Sequence, residues 1–331
     1  MTTTLKQAVG QLFVVGFEGT QLPIPLTGAL LKDEVGGIIL FRRNITDAAQ
    51  LHALTQSVRK LDLHYPAWIA VDQEGGKVQR LAENVGLPHL PSAADLGRQH
   101  PDETRKHAQN IATSLRNFGF NLNFAPVLDI HTNPDNPIIG ERAFGTTPQC
   151  VRDHALAFMQ GLLDEGIVPC GKHFPGHGDT DLDSHLDTPV VRHDIQRLRD
   201  IEFKPFEAAI RAGIPMLMTA HIVMQGLGER FPATLSHPIV TGILRKELGF
   251  EGVIVSDDLE MNAIIDHYSC LKAVLTGLRA GVDLFLICRS QYLWAPICKQ
   301  VMAEARKDPE LERRIFESAE RVIALKNKFL R

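Results

Sequence analysis

AWIAVDQEGGKVQRL, residues 67–81, opens on five apolar residues and closes on a string of acids, amides, glycines and an arginine. A continuous apolar run of that length, without alternation, suits a parallel strand buried on both faces. The polar string that starts at Asp72 then reads as the loop leaving the strand's carboxyl end. The same form recurs along the chain. Further candidate strands are 9–17 (VGQLFVVGF), 36–41 (GGIILF), 120–128 (FNLNFAPVL), 167–174 (IVPCGKHF), 214–221 (IPMLMTAH), 252–257 (GVIVSD) and 282–287 (VDLFLI). Segments of helical periodicity separate them: 46–61, 103–118, 151–164, 194–212, 238–248, 269–280 and a C-terminal 309–330. Gly119, Gly213, Gly249 and Gly281 each stand between a helix and the next strand, where a left-handed cap is easiest for glycine. Eight strands alternating with helices predict a (β/α)8 TIM barrel, a fold typically of about 250 residues. The rival, a doubly wound open sheet, is disfavoured because Gly16-Phe17-Glu18-Gly19 is not a dinucleotide fingerprint.

The rest of the chain agrees with one barrel. With 331 residues and no Ser-, Pro- or Gly-rich linker, residues 1–331 read as a single catalytic domain with C-terminal helices. Hydrophobic residues make up 44% and charged residues 22%, which suits a globular chain with a sizeable core. A net charge of −4 with no basic run excludes a nucleic-acid or anionic-membrane binder. The apolar stretch 12–17 is too short to cross a membrane and lacks a signal-peptide cleavage pattern. Five cysteines, an odd number without a C-x-x-C pair, argue against a disulfide framework or structural zinc. These features predict cytoplasmic residence.

Barrel enzymes carry their chemistry on the loops after the strands, and the polar residues gather there. Strand three ends in Asp72-Gln73-Glu74-Gly75-Gly76, and Arg142 follows strand four. Strand five ends in Lys172-His173-Phe174-Pro175-Gly176-His177-Gly178, strand six at His221 and strand seven at Ser256-Asp257-Asp258. Asp257 at a rigid strand end suits a nucleophile; an N-cap for the next helix is the competing role. Lys172, Arg80 and Arg142, with Asp72, form a grip for a ligand rich in hydroxyls or amides, unless they are salt bridges of the barrel itself. The stretch 176–193 has no clear secondary structure, and loops longer than roughly 12–15 residues in a compact domain are usually lids or binding loops. Within it, Asp183-x-His185 fits a carboxylate–imidazole dyad able to give and take a proton; a solvated acidic loop is the alternative. A metal site is disfavoured. Pro175-Gly176 breaks the helix that would align His173 with His177, and the Asp-rich run lacks the EF-hand glycine and glutamate. No cofactor is expected.

Taken together, AVDQEGGKVQRL (70–81), IGERAFG (139–145), GKHFPGHGDTDLDSH (171–185) and GVIVSDDLEM (252–261) resemble glycoside hydrolase family 3. They are most similar to its single-domain bacterial β-N-acetylglucosaminidases of peptidoglycan recycling. The resemblance implies a (β/α)8 barrel that removes non-reducing terminal β-linked N-acetylglucosamine from muropeptide fragments. A monomer with a small carbohydrate as its one partner is expected. It implies Asp257 as nucleophile, His185 as acid/base with Asp183 as its partner, and Asp72, Arg80, Arg142, Lys172 and His173 as sugar-binding positions. His177 is expected to organise the base of the loop, while His221 and Asp258 receive no role. Because some members carry a second domain that completes the site, a 331-residue chain is expected to supply its acid/base from the barrel's own loop. Two alternatives stay open: a β-N-acetylglucosaminide phosphorylase on the same scaffold, and a metal-dependent barrel hydrolase of amides or esters.

Overall fold

A computed structural model describes residues 3–180, 188–290 and 292–330. Its centre is a closed barrel of eight parallel strands: β1 (Phe13–Val15), β2 (Gly37–Leu40), β3 (Trp68–Val71), β4 (Leu122–Asn123), β5 (Val168–Phe174), β6 (Met216–Thr219), β7 (Val253–Asp258) and β8 (Leu284–Ile287). Each strand pairs with its neighbour in sequence, and β1 pairs with β8 to close the ring. All eight expected strands are present, and the barrel reading holds.

Alternation along each strand divides the core into two layers. Val14, Ile39, Trp68, Ala70, Leu122, Val168, Cys170, Met216, Val253, Val255, Leu284 and Leu286 fill the interior. Phe13, Val15, Ile38, Leu40, Ile69, Val71, Leu217, Ile254 and Phe285 point outward onto the helices. Successive side chains of a strand face opposite ways. The inward rows of β3, β5 and β7 therefore continue to Asp72, Lys172 and Asp257 at the carboxyl ends.

Three boundaries differ from expectation, each for a local reason. The run 9–17 does not begin as a strand, because Leu5–Gln11 is a helix. Its Thr4 hydroxyl accepts the Gln7 N–H while the Gln7 side chain accepts the Thr4 N–H, a capping box spelled T-L-K-Q in the sequence. The run 120–128 forms only the two-residue β4. The Asn121 and Asn123 side-chain carbonyls accept the Ile69 and Gln73 N–H groups beside the backbone bonds to β3, and Pro126 has no N–H to give. Residues 194–212 form two helices, Ile195–Asp200 and Phe203–Arg211, because Pro205 cannot continue the hydrogen-bond ladder through the junction. The four glycine caps are left-handed as expected, with φ of +86° at Gly119, +81° at Gly213, +69° at Gly249 and +118° at Gly281. Among the described residues no helix is long and apolar enough to cross a membrane.

Candidate active site

The string after β3 folds back on itself as a hairpin, Gln73–Gly75 against Val78–Gln79. The Gln73 side-chain carbonyl accepts the Arg80 and Leu81 N–H groups at 2.8 and 3.0 Å, which brings Arg80 back beside Asp72. Gly75 has φ +105°, and a Cβ there would lie 2.4 Å from the Pro91 carbonyl oxygen, so no other residue fits the turn.

Asp72, Glu74, Arg142 and Lys172 interlock at the carboxyl end of the barrel. Lys172 Nζ donates to Asp72 Oδ1 at 2.8 Å and to Glu74 Oε1 at 2.5 Å. Arg142 grips Glu74 with a two-pronged contact, Nε to Oε2 and Nη2 to Oε1, both 2.9 Å. Arg80 reaches Asp72 more loosely at 3.8 Å and lies over the Phe41 ring at 5.8 Å. Burial alone would raise the Glu74 carboxyl, but the Arg142 guanidinium and the Lys172 ammonium outweigh it and hold it well below the usual range. Burial would likewise lower Lys172, and Asp72 and Glu74 reverse this. Glu74, Arg142 and Lys172 are therefore charged at neutral pH, and the cations are held rigid. The salt bridges weighed for these residues are present, and they hold the side chains at the rim of the barrel.

His173 belongs to the same cluster. Its Nδ1 lies 2.6 Å from Asp129 Oδ2, and its Nε2 lies 3.4 Å from Arg142 Nη2. Asp129 is fully buried and also accepts the backbone N–H of His177 at 2.7 Å. Burial would raise its carboxyl, but His173 and His177 hold it low. The His177 ring meets Thr180 at 2.8 Å, and burial pushes its pKa down to about 4, so it is neutral. That geometry suits an organiser of the loop base. Glu74 and Asp129 carry no role in the sequence reading, yet Glu74 holds Arg142 and Lys172, and Asp129 holds His173 and the His177 backbone. Glu74 lies inside a quoted motif, and Asp129 follows an apolar run as the other rim acids do.

Asp257 ends the inward row of β7, and its Oδ1 accepts the Asp258 N–H at 2.8 Å. The buried thiols of Cys170 and Cys288, in the interior below, are raised by burial and feel both Asp72 and Asp257, which sets the two carboxylates over the same mouth. Asp258 points the other way. Its carboxylate accepts the N–H groups of Glu260 and Cys288, each at 3.1 Å, and its backbone carbonyl meets His221 Nε2 at 3.0 Å. Burial pushes the Asp258 pKa up to about 6; the Glu260 N–H opposes the rise, and the Glu260 and Asp257 carboxylates add to it. A raised carboxyl is stabilising only while protonated, so this contribution is complete below the ordinary value of 3.8 and lost as pH rises through about 6. Asp258→Asn keeps an acceptor without the charge. It is expected to gain roughly 1–3 kcal/mol relative to the parent at pH 7.5 compared with pH 4.5, read from urea midpoints. A pH-independent difference would remove the charge from this account.

Asp183 and His185 lie outside the described residues, but both ends of their segment are tied. Asn136 Nδ2 donates to the Thr180 carbonyl at 2.9 Å, Thr132 to Asp179 at 3.0 Å, and Asp179 pairs with His193. On the far side, Thr188 donates to the Ala263 carbonyl at 3.3 Å and Val190–Val191 pairs with Val223–Met224, where no secondary structure is expected from the sequence. Among the described residues no group of three His, Cys, Asp or Glu side chains could hold a metal ion.

Comparison with known proteins places this geometry. Residues 4–325 match the glycosyl hydrolase family 3 N-terminal domain. The chain is 36% identical over 288 residues to β-hexosaminidase A of Pseudoalteromonas piscicida, a match that covers 81% of this chain and 48% of that protein. A glycoside hydrolase family 3 β-N-acetylglucosaminidase from a Paenibacillus species superposes with a TM-score of 0.93 at 39% identity, over 99% of this chain and 63% of that one. A β-N-acetylhexosaminidase from Beutenbergia cavernae gives a TM-score of 0.89 at 33% identity, with 98% of each chain covered. The chain thus spans about half of the first relative, under two thirds of the second and nearly all of the third. By the extent of the sequence match, and by an eight-stranded barrel shared with these glycosidases, the chain belongs to glycosyl hydrolase family 3.

Proposed function

We propose that this chain is a retaining β-N-acetylhexosaminidase that removes terminal β-linked N-acetylglucosamine from peptidoglycan fragments during cell-wall recycling in the cytoplasm. The observation that carries the reading is the mouth of the barrel. Asp72, Lys172 and Asp257 continue the inward rows of three different strands, with Glu74 and Arg142 locking the first two. A fixed set of carboxylate and cationic groups of this kind suits the hydroxyls and amide of a single sugar. The hexosaminidase relatives support the sugar, and the motif resemblance supports the muropeptide.

In this reading Asp72, Arg80, Arg142, Lys172 and His173 bind the sugar in subsite geometry set by Glu74 and Asp129. Asp257 attacks the anomeric carbon as His185, supported by Asp183, protonates the departing oxygen. The bond to the leaving group breaks and a glycosyl–Asp257 ester forms. Neutral His185 then takes a proton from water, the water oxygen bonds to the anomeric carbon, and Asp257 leaves as carboxylate. Two inversions retain the configuration. The dyad takes the place of the second carboxylate usual for this chemistry.

The test compares two N-acetylglucosaminides, one with an activated aryl leaving group and one with a sugar alcohol. The parent is expected to hydrolyse both. His185→Ala is expected to lose roughly 10²–10⁴-fold in turnover on the poor leaving group and far less on the aryl glycoside, which departs without protonation. Equal losses would overturn the acid role, and absence of hydrolysis by the parent would overturn the function.

A further inference from the structure

The amino end of the barrel, opposite the mouth, holds a second cluster of charge. Helix Pro309–Phe329, segment Pro238–Glu247 and the end of helix Cys270–Ala280 enclose a cleft of about 410 Å³. Behind three of its lining arginines is Asp283, the fully buried residue just before β8. Three guanidiniums converge on this one carboxylate. Arg314 and Arg321 lie 2.8 and 3.2 Å from Oδ1, and Arg245 pairs with Oδ2. Asp283 cannot neutralise three cations. Burial pushes Arg245 down to about 10; Asp283 pulls the other way, and Arg321 and Arg314 add to the fall by repulsion.

The outer wall does not supply the missing negative charge. Asp308 is taken up by Arg279 at 3.0 Å, and Glu317 by Arg313. Glu310 is the remaining carboxylate of the lining, and Lys246 adds an exposed ammonium with no carboxylate within 4.0 Å among the described residues. Counting Asp283, the cleft carries two positive charges beyond its carboxylates in a chain whose net charge is −4.

We propose that this cleft binds the phosphate group of a small phosphorylated molecule, held by Arg321 and Lys246 above the Arg245–Asp283–Arg314 floor. The floor is pre-organised: Arg245 Nη1 donates to the Phe250 carbonyl at 2.7 Å, and Arg314 Nη2 to the Gly281 carbonyl at 2.8 Å. Arg321 engages Asp283 through Nη1 alone among the described contacts, which leaves the rest of its fork for a ligand. Guanidinium forks match phosphate oxygens in pairs. A phosphomonoester carries about −1.5 to −2 charges at neutral pH, the excess that the cleft presents. The volume exceeds that of bare phosphate and falls within the roughly 300–1,000 Å³ of small-ligand sites. The ligand would bridge the C-terminal helix to segment Pro238–Glu247 without touching the catalytic mouth.

The experiment titrates the full chain with pyrophosphate and, separately, orthophosphate. It uses calorimetry and thermal unfolding, with potassium chloride at matched ionic strength as the control. Saturable binding of one equivalent with a rise in Tm is expected for the phosphates and not for chloride. Lys246→Gln/Arg321→Gln is expected to weaken it at least tenfold while glycoside turnover stays within twofold. Should that double variant fail to fold, Lys246→Gln alone, an exposed change, is expected to weaken binding at least threefold. No saturable binding, an equal shift with chloride, or binding that survives the substitution would overturn the proposal.

Discussion

Asp257→Ala is expected to lower turnover by roughly 10⁴-fold or more, equivalent to about 5.5 kcal/mol of barrier. The carboxylate stands at the end of β7 on the inward row, with one oxygen held by the Asp258 N–H at 2.8 Å. A nucleophile on a rigid strand end meets the anomeric carbon without a search, and alanine at that place offers no atom to form the ester. The fold should survive, because the methyl group leaves the β7 ladder to β6 and β8 untouched. A slow fluorosugar gives the decisive reading. In the parent its label should appear by mass spectrometry on the peptide containing Asp257, and in the variant on none. Near-normal turnover, or a label on another residue, would remove Asp257 as nucleophile. An N-cap role is already excluded, because the next helix, Asn262–Ile265, is entered at Met261 without a side-chain cap, and wild-type-like Tm with lost turnover separates a chemical role from a structural one.

Glu74→Ala is the second large effect, and it falls on the fold before it falls on the chemistry. The side chain is 5% exposed and neutralises Arg142 through two 2.9 Å bonds and Lys172 through one of 2.5 Å. Removing one partner of a buried ion pair leaves uncompensated charge, at a cost of about 3–5 kcal/mol. For a domain of this size that lowers Tm by roughly 4–7 °C. Glu74→Gln keeps the side-chain volume and one accepting oxygen, though its NH2 faces a donor, and is expected to lose less than alanine. The pH dependence has a definite sign. The folded carboxyl is held below its ordinary value of 4.5, so the native advantage over Glu74→Ala is complete above that pH and shrinks as pH falls below it. Denaturant midpoints from pH 7 down to pH 3 read this directly. A gap that stays constant, or a variant as stable as the parent, would show that Arg142 and Lys172 do not depend on Glu74.

How much of this could be read from residues alone depends on the range of the interaction responsible. Eight apolar runs followed by polar ends are local patterns, and all eight became barrel strands. The helix caps at Gly119, Gly213, Gly249 and Gly281 were equally local, because a positive φ is a property of one residue. The capping box at Thr4 and Gln7 was just as local and shows that a strand-like run, 9–17, can be entered from a helix. Where long-range partners intervene, the pattern fails. β4 is shorter than its apolar run because side-chain amides of Asn121 and Asn123 reach across to β3 and the segment after it. Glu74 and Asp129 stay silent in the sequence for the same reason. Their partners are 68 and 98 residues from Glu74, and 44 and 48 residues from Asp129.

The sequence by itself determined the barrel and the order of its strands. It placed Asp72, Lys172, His173 and Asp257 at the carboxyl ends of their strands and Arg142 beyond β4, because an apolar run that closes on polar residues is a pattern of a few positions and needs no partner. Only the tertiary structure decided which of these side chains share charge. Closing the barrel brings β3, β5 and β7 to one mouth, and low exposure there makes Asp72 and Glu74 settle with Lys172 and Arg142. The same closure gathered Arg245, Arg314 and Arg321 around Asp283 at the opposite end, from segments up to 76 residues apart in the chain. Electrostatics in a buried site acts through space, and distance along the chain carries no record of it.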